Sequence, residues 1–242
     1  MRRAWVVAVV ASLLVGIGCG RESYERRMDA SIQLLKYKKR LNANLMEPAN
    51  DKKFTELSIY IRAPKSESLA KTGQLPVAEG QFDLDATFSE KSDAFLHVLA
   101  RVKLSKKAAA KGAPPAPPPA TRADFTTDVL GVLTNQFGAS DEFLPTKLKD
   151  ETRKPQSGAA NRYKRLVFHA GEGKDGELYI YKQDAHEVAL IFIYDVKNKN
   201  ALASKINLTL ESFLTGPKAK TLLEGGTVEE EGGEGGGTPA PV

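Results

Sequence analysis

RYKRLVFHAGEGKDGELYIYKQDAHEVALIFIYD, residues 162–195, holds three short runs rich in β-branched and aromatic residues, each bounded by turn formers. RYKRLVFHA (162–170), ELYIYKQ (177–183) and EVALIFIYD (187–195) each read as a strand, and their short spacing makes them an antiparallel meander. The third run is apolar at successive positions, hence on both faces, which places it in the middle of a sheet. Gly171–Gly176 matches the G-x-G-x-x-G spacing letter for letter. A dinucleotide site needs a helix N-terminus after those glycines, and here a strand follows. The hexapeptide therefore reads as a hairpin loop whose glycines supply positive φ.

Downstream, Asn198 or Asn200 caps a helix with Leu202, Ile206, Leu210 and Phe213 facing inward, closed by Gly216-Pro217. Upstream, Thr121–Asp124 reads as a capping box opening a helix with Phe125, Val129, Val132, Leu133 and Phe137 on one side and Gly138 at its end. LSIYIRAP (57–64), FDLDATF (82–88) and AFLHVLARVKL (94–104) have the alternation of half-buried strands. Between strands and helix lies SKKAAAKGAPPAPPPATR (105–122), whose five prolines remove backbone donors and fix φ, so it reads as an extended loop.

This order predicts an α+β fold, an antiparallel β-sheet with helices packed on it, preceded by an N-terminal amphipathic helix. Element order over residues 54–215 is similar to that of the photosystem II extrinsic subunit and the Ran-binding import factors. That resemblance implies an α/β/α sandwich used mostly as a binding platform, and it rests on no diagnostic motif.

The N-terminus has its own logic. Met1-Arg2-Arg3 precedes AWVVAVVASLLVGIG (4–18), an uncharged stretch followed at once by polar residues. This is the layout of an export signal, and it falls short of the roughly 20 apolar residues a membrane span needs. Cys19, the only cysteine, follows Gly16, Ile17 and Gly18. Residues 1–20 resemble the signal peptides of bacterial lipoproteins, although Gly16 stands where that family usually has leucine. The resemblance implies cleavage between Gly18 and Cys19, diacylglyceryl transfer to the Cys19 sulfur and acylation of the new amino terminus. It also implies a periplasm-facing place in the cell envelope, with the outer membrane favoured because Gly20, not aspartate, follows the cysteine. An ordinary secretory signal would leave an unpaired thiol in an oxidising compartment.

Residues 21–47 predict a helix with Tyr24, Met28, Ile32, Leu34, Leu35, Leu41 and Leu45 on one half of the wheel. The other half carries Arg26, Lys36 and Arg40, with Lys38 and Lys39 at the flanks. Such a helix either lies on an anionic membrane surface, with Lys36, Lys38, Lys39 and Arg40 as contacts, or packs its apolar stripe on the domain, the commoner arrangement. The expected organisation is a signal (1–18), a lipid-anchored helix and tether (19–53), an α+β domain (54–223) and a disordered Gly/Glu-rich tail (224–242).

Cleavage lowers the formal net charge from +5 to +3, so the basic balance is modest, and no nucleic-acid partner is expected of an exported chain. Ser68-x-x-Lys71 and Lys71-Thr-Gly73 match two motifs of penicillin-binding enzymes but share one lysine, which cannot occupy both places. His97, His169 and His186 have no metal-ligand spacing. Asp83 and Asp85 fall on one strand face, a pair that suits acid chemistry or weak calcium binding, or simply solvent. No metal, cofactor or catalytic residue is expected. The sequence thus points to a membrane-anchored, non-catalytic binding or structural module whose partner is an envelope protein or wall polymer. The alternative is an envelope hydrolase whose site is assembled only in the fold.

Overall fold

The computed structural model describes residues 18–65, 75–90, 93–103, 123–138, 141–154 and 160–226. The signal up to residue 17, Ser68–Gly73, nearly all of the proline-rich segment and the tail from residue 227 lie outside them. The chain divides after Asn44 into an N-terminal helix, α1 (Gly18–Asn44), and a domain that begins at Leu45.

The domain is α+β. Six strands form one antiparallel sheet in the order β2 (Leu84–Glu90), β3 (Asp93–Val102), β7 (His186–Asp195), β6 (Lys174–Gln183), β5 (Asn161–His169) and β4 (Lys149–Arg153). As the apolar run of residues 187–195 predicts, β7 is interior to this order and buried on both faces. The β5–β6 connection is the glycine hairpin, with Gly171 at φ +113° and Gly173 at φ +69°. Gly176 is inside β6, opposite Phe168, where the aromatic ring covers its Cα.

Alternation along the strands builds two cores. On one face Val98, Ala100, Val188, Leu190 and Phe192 pack with Leu202, Ile206 and Leu210 of α4 (Lys199–Ser212). On the other, Leu99, Leu178, Ile180, Ala189, Ile191 and Ile193 pack with Phe125, Val129 and Leu133 of α3 (Phe125–Phe137). Each such side chain contributes about 1.5–3 kcal/mol on full burial, so both layers are needed to hold the sheet. Asp124 caps α3, its carboxylate accepting from Thr127 N at 3.3 Å.

Several expectations change. Residues 57–64 do not join the large sheet. A short helix, α2 (Lys52–Glu56), precedes them, and only β1 (Ile59–Tyr60) forms, pairing with β8 (Leu214–Thr215). The apolar residues Ile59, Ile61 and Ala63 are buried in the α4-side core without joining the large sheet, so their alternation reports burial and not pairing there. Gly216-Pro217 does not close α4, which ends at Ser212. It opens another, α5 (Gly216–Leu223), with proline in the first turn, where its missing N–H costs nothing. Strand β4, KDETR, carries no hydrophobic signal at all. Residues 45–53 contact 61–64 through Met46 N to Ala63 O (2.7 Å) and Ala49 N to Ile61 O (3.0 Å).

Candidate functional site

Helix α1 holds the residues the sequence singles out. Its 27 residues span about 40 Å at 1.5 Å per residue. From Arg21 to Asn44 it contains neither glycine nor proline and is rich in Leu, Lys, Arg and Ala, which favours continuous helix. Gly18 and Cys19 are in its first turn. Lys36, Lys38, Lys39 and Arg40 are exposed, and the Arg40 guanidinium lies 5.8 Å from the Tyr37 ring centroid.

Leu41 is buried, but Tyr24 is 64% and Leu35 66% exposed, and Met28, Ile32 and Leu34 are exposed with them. Lys38 and Lys39, expected at the flanks, are not there: at 100° per residue along Gly18–Asn44 they fall among these apolar positions. The helix therefore presents mixed apolar and basic surface along most of its length.

A second constellation lies on the α4-side face of the sheet and is absent from any linear motif. Residues paired across β4, β5 and β6 place Glu151, Arg153, Arg165, Glu177 and Tyr179 on one face. Arg153 pairs with Glu151, Glu151 lies 3.3 Å from Arg165, and Arg165 Nη2 lies 2.8 Å from Glu177 Oε2. Tyr179 donates to Glu177 at 2.6 Å and Tyr194 donates to its other oxygen. Glu177 is buried, and burial pushes its carboxyl up. The two hydroxyls and the Arg165 charge outweigh that and hold it below the usual glutamate range. Burial and the adjacent carboxylate push both tyrosine hydroxyls far above theirs. A carboxylate bonded on both oxygens and locked ionised is poorly suited to proton transfer and well suited to fixing three strands in register.

The titratable residues weighed from sequence are dispersed. His97 is fully buried on β3, 3.0 Å from Thr87 Oγ1, and burial lowers its pKa to about 4. His186 Nε2 is 2.9 Å from Leu57 O, and His169 Nδ1 is 3.5 Å from Asp175. Asp83 accepts from Val102 N at 2.9 Å, fastening the start of β2 to the end of β3. Asp85, opposite Leu99, shares its sheet face with the Thr87–His97 pair further along the ladder. Among the described residues no group of three or more His, Cys, Asp and Glu is gathered for a metal ion.

Arg101 is a further buried charge that the strand pattern conceals. Its guanidinium lies 5.1 Å from the Phe82 ring centroid and 5.7 Å from that of Phe125. It donates to Gln81 O and Ala123 O, each at 3.0 Å, and pairs with Asp128. It thereby ties the approach to β2 and the entry of α3 to β3.

No protein-family model matches the chain, and no curated protein matches it. Among solved structures it is similar to the solution structure of cyanobacterial PsbP (CyanoP) from Synechocystis sp. PCC 6803. That likeness has 13% identity and a TM-score of 0.38, covering 72% of this chain and 94% of that one. At that distance it assigns neither activity nor partner. Among the described residues no helix is long and apolar enough to cross a membrane.

Proposed function

We propose that the protein is a lipid-tethered, non-catalytic module of the cell envelope that binds another envelope protein or a wall polymer. The observation that carries this reading is the position of Cys19. The only cysteine of the chain follows an export-type signal and lies in a continuous helix, Gly18–Asn44, that leads on to the folded domain. Two or three acyl chains on one residue hold a protein at a membrane almost permanently, whereas one holds it weakly. The polar clusters of the domain support a binding role over a catalytic one, because Glu177 and Arg101 are buried and engaged in tying elements of the fold together.

The decisive experiment uses the single tryptophan. Trp5 lies in the signal, so cleavage before Cys19 yields a mature chain without tryptophan. Protein extracted from its native membrane is expected to emit as tyrosine only and to carry acyl mass on an N-terminal Cys19, and Cys19→Ser is expected to accumulate as precursor. Tryptophan emission from the native protein, or cleavage of the serine variant at the same bond, would overturn the reading. Crosslinking before extraction then identifies the partner.

A further inference from the structure

We infer that α1 is itself a membrane-surface element: its exposed apolar residues and basic cluster bind an anionic lipid bilayer, without any acyl chain. The inference takes its setting from the tethered reading, which puts residue 19 at a membrane, but the binding energy it invokes is separate.

Three observations converge. Five large apolar residues, Tyr24, Met28, Ile32, Leu34 and Leu35, are exposed on this one helix. Charge is concentrated there too, since α1 carries seven Lys and Arg against three Asp and Glu, a net +4 in 27 residues. The 198 residues from 45 to 242 carry 26 basic and 27 acidic side chains. Finally, Lys38 and Lys39 stand among the apolar positions. In a protein–protein groove, buried ammonium groups there would be costly. On a bilayer their aliphatic stems lie along the acyl boundary while the ammonium groups reach the headgroups. Complementary charge and continuity with Cys19 thus both select lipid as the occupant.

Geometry adds direction. Lys36, Lys38, Lys39 and Arg40 lie in the last three turns of α1, about 25–32 Å along its axis from Cys19. Lipid at one end and basic residues near the other would fix the helix at two points along the surface. A tether held only at Cys19 would leave it free to pivot.

The test uses residues 19–242 with Cys19→Ser, which cannot be acylated, and Leu35→Trp, which supplies the only tryptophan in that chain. Vesicles of phosphatidylcholine alone are compared with vesicles of phosphatidylcholine and phosphatidylglycerol in equal parts. Expected are a blue shift of the tryptophan emission and co-sedimentation with the anionic vesicles only. Both should disappear near 1 M salt, where the screening length falls to about 3 Å. Replacing Lys36, Lys38, Lys39 and Arg40 by Gln should lower partitioning at least about 100-fold, since each basic residue near an anionic surface contributes about a fivefold factor. Far-UV circular dichroism confirms that this variant still folds. Absence of binding to anionic vesicles at low salt, equal binding to neutral ones, or a dimer in light scattering that Leu35→Ser abolishes would each overturn the inference. None of these outcomes changes the acyl mass on native Cys19, so the tethered reading stands or falls separately.

Discussion

Arg165 Nη2 stands 2.8 Å from Glu177 Oε2 while its guanidinium lies 5.6 Å from the ring centroid of Tyr179, so one side chain neutralises a buried carboxylate and covers the tyrosine that also bonds it. The two partners are unequally placed: the Glu177 side chain is 7% exposed and that of Arg165 34%. Removing the carboxylate's charge leaves Arg165 with its longer 3.3 Å contact to Glu151 and takes an ionised acceptor from two buried hydroxyls, whereas removing the cation leaves a carboxylate still held by both hydroxyls. Glu177→Gln should therefore destabilise the domain by about 3 kcal/mol and Arg165→Gln by about 1–2 kcal/mol. Urea unfolding with an unchanged slope checks the order.

Acid should weaken the fold in two stages. His97 has a folded pKa of about 4 against an ordinary 6.5, so the unfolded chain takes up its proton first. The stability that depends on neutral His97 is complete above pH 6.5 and is lost as pH falls towards 4, by up to about 3 kcal/mol. Glu177 is shifted down, so its contribution is present above the ordinary glutamate value of 4.5 and is lost only below it. Unfolding followed across pH should show both losses. His97→Gln should flatten the first window and leave the second.

Gly176 should be the least replaceable glycine of the sheet. A Cβ there would lie 2.1–2.7 Å from three ring atoms of Phe168, its partner across the β5–β6 ladder. Gly176→Ala must displace a ring that also packs on Phe137 and Phe143, at centroid distances of 5.5 and 5.2 Å. A loss of about 1–3 kcal/mol is expected. Combining it with Phe168→Leu should be less than additive, which a double-mutant cycle measures.

Exchanging residues 105–122 for a short Gly/Ser linker should leave the thermal midpoint nearly unchanged. The flanks are secured without it, through Lys103 N to Ala185 O at 2.8 Å and Arg101 to Ala123 O at 3.0 Å. Changing loop length alters closure entropy by only about 0.6 kcal/mol per doubling. A drop of many degrees would mean that the prolines contribute packing.

The sheet was legible where burial dictates pattern. β5, β6 and β7 carry β-branched and aromatic residues because two cores press on them, and α3 and α4 carry the matching helical stripes. β4 was not legible, because an edge strand outside both cores needs no apolar residue. Ile59 and Ile61 misled in the opposite sense, being buried without pairing in the large sheet. The Glu177 cluster was invisible for another reason. Arg165, Glu177 and Tyr194 are ordinary strand residues until the register brings them together, and register is not written in any one segment. The basic residues of α1 could be named from the sequence, but the exposure of its apolar stripe could not.

The two outermost strands of the sheet bear on a hazard that any crowded β-protein faces. An open edge offers unpaired amides to another chain and seeds aggregation. Here β4 presents Lys149, Asp150, Glu151 and Arg153, so an approaching strand would have to accommodate charges at four of five positions. Along β2 the pairing instead shifts register between Phe88 and Ser89, where Phe95 of β3 is the extra residue, and such an irregularity increases the local twist of the β2–β3 border. One border is closed by chemistry and the other by shape, and together they oppose growth of the sheet from chain to chain even where many copies are packed side by side.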